Sequence, residues 1–487
     1  MNLLIIIPLL LSLLSAFSVY LFKDTQRKVK NIVLTILLSL TFISCIINAC
    51  LPTLALDIIN ITPTLTLSFK VDGLSKFFSI AISLIWLIVT IYTFEYIKHE
   101  KNENRFNTFS LLTLTMLLSL SYSANLVTMY LSFEMITLLS MPLVLHSLSK
   151  ESIAAAKKYL FYSIAGAFLA LLGIFVLVNY TGNVSFSDFG GLEMFKDGNF
   201  TGNKTLFHVV IFLLIVGFAT KAGMFPLHGW LPVAHPVAPS PASALLSGVI
   251  TKAGVIAIIR VVYYYVGPEF ISGTWVQYVW LSLALFTVFM GSLLAAVEKV
   301  FKKRLAYSSV SQISYILVGL AILTEVSFMG ALLHVAAHML IKVCLFLFAG
   351  ELIYKFDKHN VNELRGIGKI MPVSTWCFTI ASLGLIGIPL TAGFISKWYL
   401  ATGAVNSMIP VFSYLIPIIL LVSAILTAGY LLPITFNGFF VGEEKYEKNE
   451  VKPLMYNPLI VLSTLILLIG IYSEPLINFI KLIMGIN

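Results

Sequence analysis

Charge is scarce in this 487-residue chain: Asp, Glu, Lys and Arg together make up 11% of it, against roughly 25% in a soluble globular domain. So few ionised groups cannot keep a monomer in water. A disordered regulator and a nucleic-acid-binding module are excluded with it. Cysteine is nearly absent, with four residues (Cys45, Cys50, Cys344 and Cys377). All four fall inside apolar runs without paired loop spacing, so a secreted disulfide scaffold and a zinc site are excluded and the thiols are read as packing residues. There is no cysteine cluster for iron–sulfur, no haem-type pair and no dinucleotide glycine motif, so no cofactor or metal is expected. Strand-like alternation of useful length is lacking, and the expected fold is all-α.

Apolar residues are what the chain has, 59% of it at a mean hydropathy of +0.96. A bilayer-spanning helix needs about 20 apolar residues, and about fourteen such runs can be marked: 2–22, 30–50, 73–97, 106–123, 125–147, 157–180, 206–231, 239–265, 273–297, 304–323, 327–354, 372–402, 409–433 and 457–480. The first is too long and too evenly apolar for a signal peptide, and lacks a basic start and a cleavage site. The fourth and fifth are parted only around Ser123 and form a tight hairpin.

The net charge of +9 is a membrane charge pattern and not a DNA footprint. Twenty-one of the 31 Lys and Arg residues fall in alternate loops, beginning with Lys23, Arg27, Lys28 and Lys30 and ending with Lys445, Lys448 and Lys452. The opposite loops hold only Lys70, Lys196, Lys204 and Lys481. The rich side is expected to be cytoplasmic, and an even number of spans then puts both termini outside.

Six basic residues remain within or at the ends of spans. Arg260 lies near one end of its run and can snorkel to the interface; Lys76, beside Asp72, reads as an interface anchor. Lys221, Lys252, Lys342 and Lys397 lie deeper, where a charge on a lone helix costs roughly 2.5–3.5 kcal/mol. Glu134, near the middle of the fifth run, can neutralise one of them, and no other carboxylate is read as deep in a span. Burial disfavours an ammonium while a nearby carboxylate favours it. A Glu134–Lys221 pair that opens and closes would therefore switch the proton affinity of that lysine.

His334, His338 and Lys342 follow at i, i+4 and i+8, one stripe on one helix face. A His pair at that spacing also suits a metal, but no carboxylate accompanies it, and a polar proton relay is favoured. The seventh run carries Gly217, Gly223 and Pro226; the twelfth carries Gly384, Gly387, Pro389 and Gly393 ahead of Lys397. Proline breaks a helix, and such breaks persist in membranes where they line a cavity. Runs four to eight and nine to thirteen would then be two five-helix units of opposite orientation, the inverted-repeat pattern in which broken helices 7 and 12 mark an ion site. The chain divides accordingly into a three-helix segment (1–105), two repeats (106–265 and 273–433) and a C-terminal loop with the last helix (434–487). The proline-rich connector from His228 to Pro241 is read as a gating loop through His228 and His235, or equally as a stiff link.

These residues are recognisable together. The stretch Lys221–Pro232, the Ala-Pro-Ser-Pro-Ala-Ser-Ala-Leu-Leu-Ser-Gly segment with Lys252, Asp72–Ser75, Arg304–Tyr315, the His334/His338/Lys342 stripe and Gly393–Lys397 resemble the proton-translocating antiporter-like family. That family includes Mrp cation/proton antiporter subunits, the large membrane subunits of complex I (NADH-quinone oxidoreductase) and the membrane arms of energy-converting hydrogenases. The resemblance covers almost the whole chain. It implies fourteen helices with two inverted repeats, and a half-channel around Glu134, Lys221 and Lys252 joined through His338 and Lys342 to Lys397. Lysine at 397 resembles the Mrp D-type and the N-type complex I subunits more than the M-type. Val233 departs from the acidic or polar residue that relatives often carry there, and the chain ends soon after its last run, without a lateral helix.

The resemblance implies an ion-translocating subunit, not an enzyme by itself, that moves protons alone or in exchange for Na+. Its expected partners are further antiporter-like and small membrane subunits in a prokaryotic plasma membrane, with no nucleic acid. The alternatives are a proton-pumping subunit of complex I or of a membrane-bound hydrogenase and, remotely, a membrane-embedded transferase. The last is disfavoured because the outer loop Thr181–Lys204 holds Asp188, Glu193 and Asp197 but no His cluster or phosphate-binding pattern.

Overall fold

The computed structural model describes residues 2–22, 26–62, 65–196, 199–441 and 448–486; Lys23, Lys445 and Asp197 lie outside them. Helix occupies every expected apolar run. In chain order these are α1 (Asn2–Leu21), α2 (Arg27–Cys50), α3 (Gly73–Tyr96), α4 (Glu103–Ser121), α5 (Leu126–Val144), α6 (Lys150–Thr181) and α7 (Lys204–Ala222). Then come a short α8 (Leu231–Val237), α9 (Ser240–Val266), α10 (Trp275–Val297), α11 (Phe301–Ala321), α12 (Glu325–Phe356), α13 (Pro372–Ile386), α14 (Ala392–Asn406), α15 (Phe412–Phe440), α16 (Pro453–Ile471) and α17 (Glu474–Ile483). Among the described residues eleven helices are long and apolar enough to cross a membrane, so this is an integral, polytopic, helical membrane protein. The other runs are interrupted or more polar. α13 and α14 are halves of one run with 15 residues each. α11 buries Ser308, Ser309, Ser311, Gln312 and Ser314 along its length.

Among the described residues strand is confined to one hairpin beside the helices, a short exception within an all-α fold. β1 (Leu54–Thr62) and β2 (Leu65–Val71) pair antiparallel, with Leu54 opposite Val71 and Leu56 opposite Phe69. Residues 65–71 do alternate apolar with polar, but over too short a length to stand out between two long apolar runs. Leu54, Phe69 and Val71 pack on Ile5 and Tyr122 in a core of their own. The hairpin continues onto the α4–α5 turn through Lys70 N–H to Tyr122 O (2.7 Å) and Ala124 N–H to Ser68 O (3.0 Å).

The lysine-rich loops gather at the opposite end of the bundle. Glu95 there accepts Lys98 at 2.5 Å and Lys452 at 2.8 Å, Arg27 pairs with Glu103 at 2.8 Å, and Val300 bridges Asn360. Between the two ends α9 is wholly buried and α12 nearly so, while α6 turns Phe161, Phe168 and Phe175 outward at seven-residue spacing. A helix apolar all round belongs at the centre, and one with an exposed apolar stripe belongs against lipid. Cys45, Cys344 and Cys377 are buried as expected, but Cys50, at the end of α2, is exposed.

Candidate functional site

Two helices are interrupted in the same way. α7 stops at Ala222, where Gly223 takes φ +82° and, with Met224, donates to Ala219 O; α13 stops at Ile386, where Gly387 takes φ +92° and, with Ile388, donates to Leu383 O. Only glycine adopts that left-handed turn without strain. Pro226 and Pro389 follow the glycines, so the glycine ends each helix and the proline keeps it from resuming. The connector after Gly223 is not a loop throughout, because Leu231–Val237 forms α8. His235 is buried there, stacked on Phe346 at 4.7 Å, while half-buried His228 stacks on Phe225 at 5.9 Å.

Each buried lysine is met by oxygen or by an aromatic face. Lys221 donates to Thr137 Oγ1 at 2.5 Å and lies over the rings of Tyr159 (5.2 Å) and Phe133 (5.5 Å). Glu134, one turn before Thr137, is half-buried with Oε1 unpartnered, and among the described residues it forms no ion pair. The Glu134–Lys221 pair therefore stands open here. Gly254 of α9 lets α7 approach, since a Cβ there would come within 2.4 Å of Phe218 O and 3.3 Å of Lys221 Cβ.

α9 widens to a π turn over Leu246–Ile250, a local irregularity frequent at functional sites. Lys252 donates to Ser247 O at 2.7 Å and meets His338 Nδ1 at 2.6 Å. At that distance one proton is shared: a charged lysine donates to Nδ1, or a neutral lysine accepts from it. Among the described residues His338 Nε2 is buried without a partner, as are His334 Nε2 and both amide atoms of Gln312. His334, one turn along α12, bonds Ser396 Oγ at 2.9 Å and stacks on Tyr315 at 5.3 Å. Lys397 lies 5.0 Å over the same Tyr315 ring and donates to Leu385 O (2.7 Å) and Ile386 O (2.8 Å), the carbonyls that the break in α13 leaves free. Cations favour such a helix end. Lys342 points elsewhere, to Ser308 Oγ and Leu305 O on α11. Of the residues on the α12 stripe, His334 and not Lys342 reaches the surroundings of Lys397.

One reading from the sequence is corrected, and one buried carboxylate is added. Arg260 does not snorkel: its side chain is 1% exposed and grips Asp72, Nη1 to Oδ2 at 2.5 Å and Nη2 to Oδ1 at 3.0 Å. A planar guanidinium suits such two-point contact with a carboxylate. Glu351 of α12, passed over in the sequence, is fully enclosed in the protein, at 0% exposed. It was visible as a lone charge near the end of the eleventh run. Thr137 carried no signal, since hydroxyls are common throughout the spans; Ser308, Tyr315 and Ser396 lie in the Arg304–Tyr315 and Gly393–Lys397 stretches, which pointed to a family but not to what each side chain meets. Among the described residues no group of three or more His, Cys, Asp or Glu is placed to hold a metal ion.

A family model described as NADH:quinone oxidoreductase/Mrp antiporter, TM matches residues 123–427, the region that holds every one of these lysines. The chain belongs to that family. The N-terminal model of complex I chain 5 matches residues 59–107. Among relatives of this antiporter family, NADH-quinone oxidoreductase subunit N of Desulforudis audaxviator is 31% identical over 74% of this chain and 73% of its own length. The D-type Na(+)/H(+) antiporter subunit of Alkalihalophilus pseudofirmus is 28% identical over 73% and 70%. Hydrogenase-4 component B of Escherichia coli is 32% identical over 68% of this chain, which spans half of that protein. The fold is shared with a chain of the Mrp complex from Dietzia sp. (TM-score 0.87, 20% identity, 99% and 97% covered) and with one of the membrane-bound sulfane sulfur reductase, an archaeal respiratory complex (0.84, 21%, 99% and 97%).

Proposed function

We propose that this chain is an ion-translocating subunit of a multisubunit membrane complex, of the Mrp D-type kind, and that it carries protons along its buried lysines and histidines. The observation that carries the reading is the Lys252–His338 contact of 2.6 Å at the centre of the bundle. A shared proton there has a charged or chargeable neighbour on either side. In this reading opening of the Glu134–Lys221 pair releases the proton of Lys221 toward Lys252. Water bridges the gap, as the unpartnered imidazole and amide atoms require. From Lys252 the proton passes to His338, then by His334 and Ser396 to Lys397 and out. Lys342, beside Ser308, loads the same stripe from its other end. His228 and His235 flank the mouth.

The broken helices α7 and α13–α14 support two inverted five-helix repeats (106–265 and 273–433) within fourteen crossings. They are framed by the 1–105 segment and the 434–487 tail. The gathering of lysine-rich loops at one end supports a cytoplasmic face there, both termini outside, and a prokaryotic plasma membrane. The names of the relatives support further membrane subunits as partners and transport of H+, alone or against Na+. They equally support attachment to a redox arm in a complex I-like or hydrogenase-like assembly, with the redox chemistry in other subunits and none in this one.

The test is pH-gradient-linked transport in vesicles carrying the intact complex. Lys221→Ala and Lys252→Ala are each expected to abolish it while the complex still assembles. Wild-type transport in either variant overturns the mechanism.

A further inference from the structure

With the Glu134–Lys221 pair open, an ammonium at Lys221 stands inside the bundle without its carboxylate. A buried charge in that position must be compensated by other groups. What meets Lys221 here is a set of side chains that the proton route does not use. Thr137 Oγ1 accepts from Nζ at 2.5 Å, and the ring centres of Tyr159 and Phe133 lie 5.2 and 5.5 Å from it. All three side chains are buried. An aromatic face is electron-rich and attracts a cation within about 6 Å of the ring centre, most strongly where water is excluded.

Each of these rings is held by a second one. Tyr159 packs on Trp230 at 4.7 Å, and its hydroxyl lies 2.7 Å from Ser140 Oγ on α5. Trp230, in the connector after the break, donates Nε1–H to Thr220 O at 3.0 Å, the carbonyl just before Lys221. Phe133 meets Phe218 edge to face at 5.1 Å, and Phe218 lies one turn before Lys221 on α7. α6 brings Tyr159 this close because two glycines face each other where it crosses α7. A Cβ on Gly166 would come within 2.6 Å of Gly217 O, and one on Gly217 within 2.5 Å of Gly166 O. Small residues at such a crossing let membrane helices approach. Rings fixed in this way receive a charge without reorganising.

We infer that Thr137, Tyr159 and Phe133 form a second seat for the Lys221 ammonium, which holds it while it is away from Glu134. The inference rests on the proton-carrying reading above and names the residues that position Lys221 in its open state. Glu134 and Thr137 are three residues apart on α5 and so share one helix face. Lys221 passes between them by turning its own long side chain, with no shift of either helix. Tyr159 and Phe133 are positioning residues: they carry no proton, and they set how well the open state competes with the ion pair.

The test replaces Tyr159 in the intact complex and reads pH-gradient-linked transport in vesicles. Tyr159→Phe keeps the ring, drops the hydroxyl and serves as the reference. Phenylalanines carrying one, two and three fluorines, introduced at the same position by codon suppression, change the ring's size little and drain charge from its face step by step. Transport is expected to fall with each fluorine, a gradation that a merely structural ring would not show. Tyr159→Leu offers no aromatic face and is expected to lose about tenfold. Cryo-EM of the Tyr159→Leu complex gives a second readout, with Lys221 Nζ expected in salt-bridge contact with Glu134 and no longer at Thr137. Equal transport across the fluorine series overturns the seat, as does Lys221 still resting at Thr137 in Tyr159→Leu. If Tyr159→Leu does not assemble, the fluorine series decides alone. Lys221→Ala is measured beside them. An inactive Lys221→Ala with a flat series removes the seat and leaves the proton route standing, whereas an active Lys221→Ala removes both.

Discussion

Replacing Asp72 with alanine removes a carboxylate that serves two structures at once. Its Oδ1 caps α3 by accepting Ser75 N–H at 2.9 Å, and both oxygens hold the Arg260 guanidinium. Losing the cap costs about 1 kcal/mol. Removing one partner of a buried ion pair costs about 3–5 kcal/mol, because the other charge is left without compensation. Arg260 would keep only Ser75 Oγ at 3.0 Å, Ser121 O at 3.4 Å and the faces of Tyr264 and Phe186 at 4.8 and 5.5 Å. The expected loss is therefore about 4–6 kcal/mol. Arg260→Met in the same background takes the stranded charge away, so the double variant should recover about 3 kcal/mol relative to Asp72→Ala. The assay is a double-mutant cycle on denaturant unfolding of the purified protein in one detergent. Additive single losses, or an Asp72→Ala variant that loses no more than the cap, would refute the reasoning. Because Arg260 lies two turns from Lys252 on α9, a confirmed coupling would also identify what pins the helix that presents that lysine.

Two further outcomes follow from local geometry. A Cβ at Gly393 would come within 1.8 Å of Gly384 O, so Gly393→Ala should force α14 off α13 and abolish monodisperse protein; a normal elution profile with unchanged Tm would contradict this. Glu363, outside the spans, has its carboxyl drawn down to about 2 by hydrogen bonds from the Asn360 side chain and from the backbone N–H groups of Asn360 and His359. A carboxylate with a folded pKa below its unfolded one stabilises above the unfolded value and loses that contribution as pH falls through the folded one. The order of the 359–364 turn should accordingly be complete above pH 4.5 and decline toward pH 2. Amide exchange at His359 and Asn360, corrected for intrinsic rates, reads this, and protection already lost at pH 4.5 would contradict it.

How far the site could be read from the sequence depended on whether a residue announces itself alone. Lys221, Lys252, Lys342 and Lys397 stand out because each is a charge in an apolar run, and the His334–His338 spacing is a property of one helix. Gly223 and Gly387 were visible near their prolines, though which residue ends the helix is a matter of backbone φ. The short alternation of residues 65–71 was present but outweighed by the apolar runs around it. Arg260 was misread because its distance from a helix end was knowable and its partner, 188 residues away, was not. Glu351 was passed over because burial is a property of neighbours.

The sequence alone determined that this chain is a helical membrane protein with its basic residues concentrated in every other loop, and which helices break. Hydropathy and backbone hydrogen bonding are settled within a single segment, and lipid leaves an isolated segment no choice but helix. Only the tertiary structure decided that Lys252 meets His338 across 86 residues, that Glu134 and Lys221 stand apart, and that Arg260 closes on Asp72. Those juxtapositions arise where small residues let helices approach and where a free carbonyl or an unpaired oxygen happens to face a neighbour. Packing sets both, and no single segment encodes them.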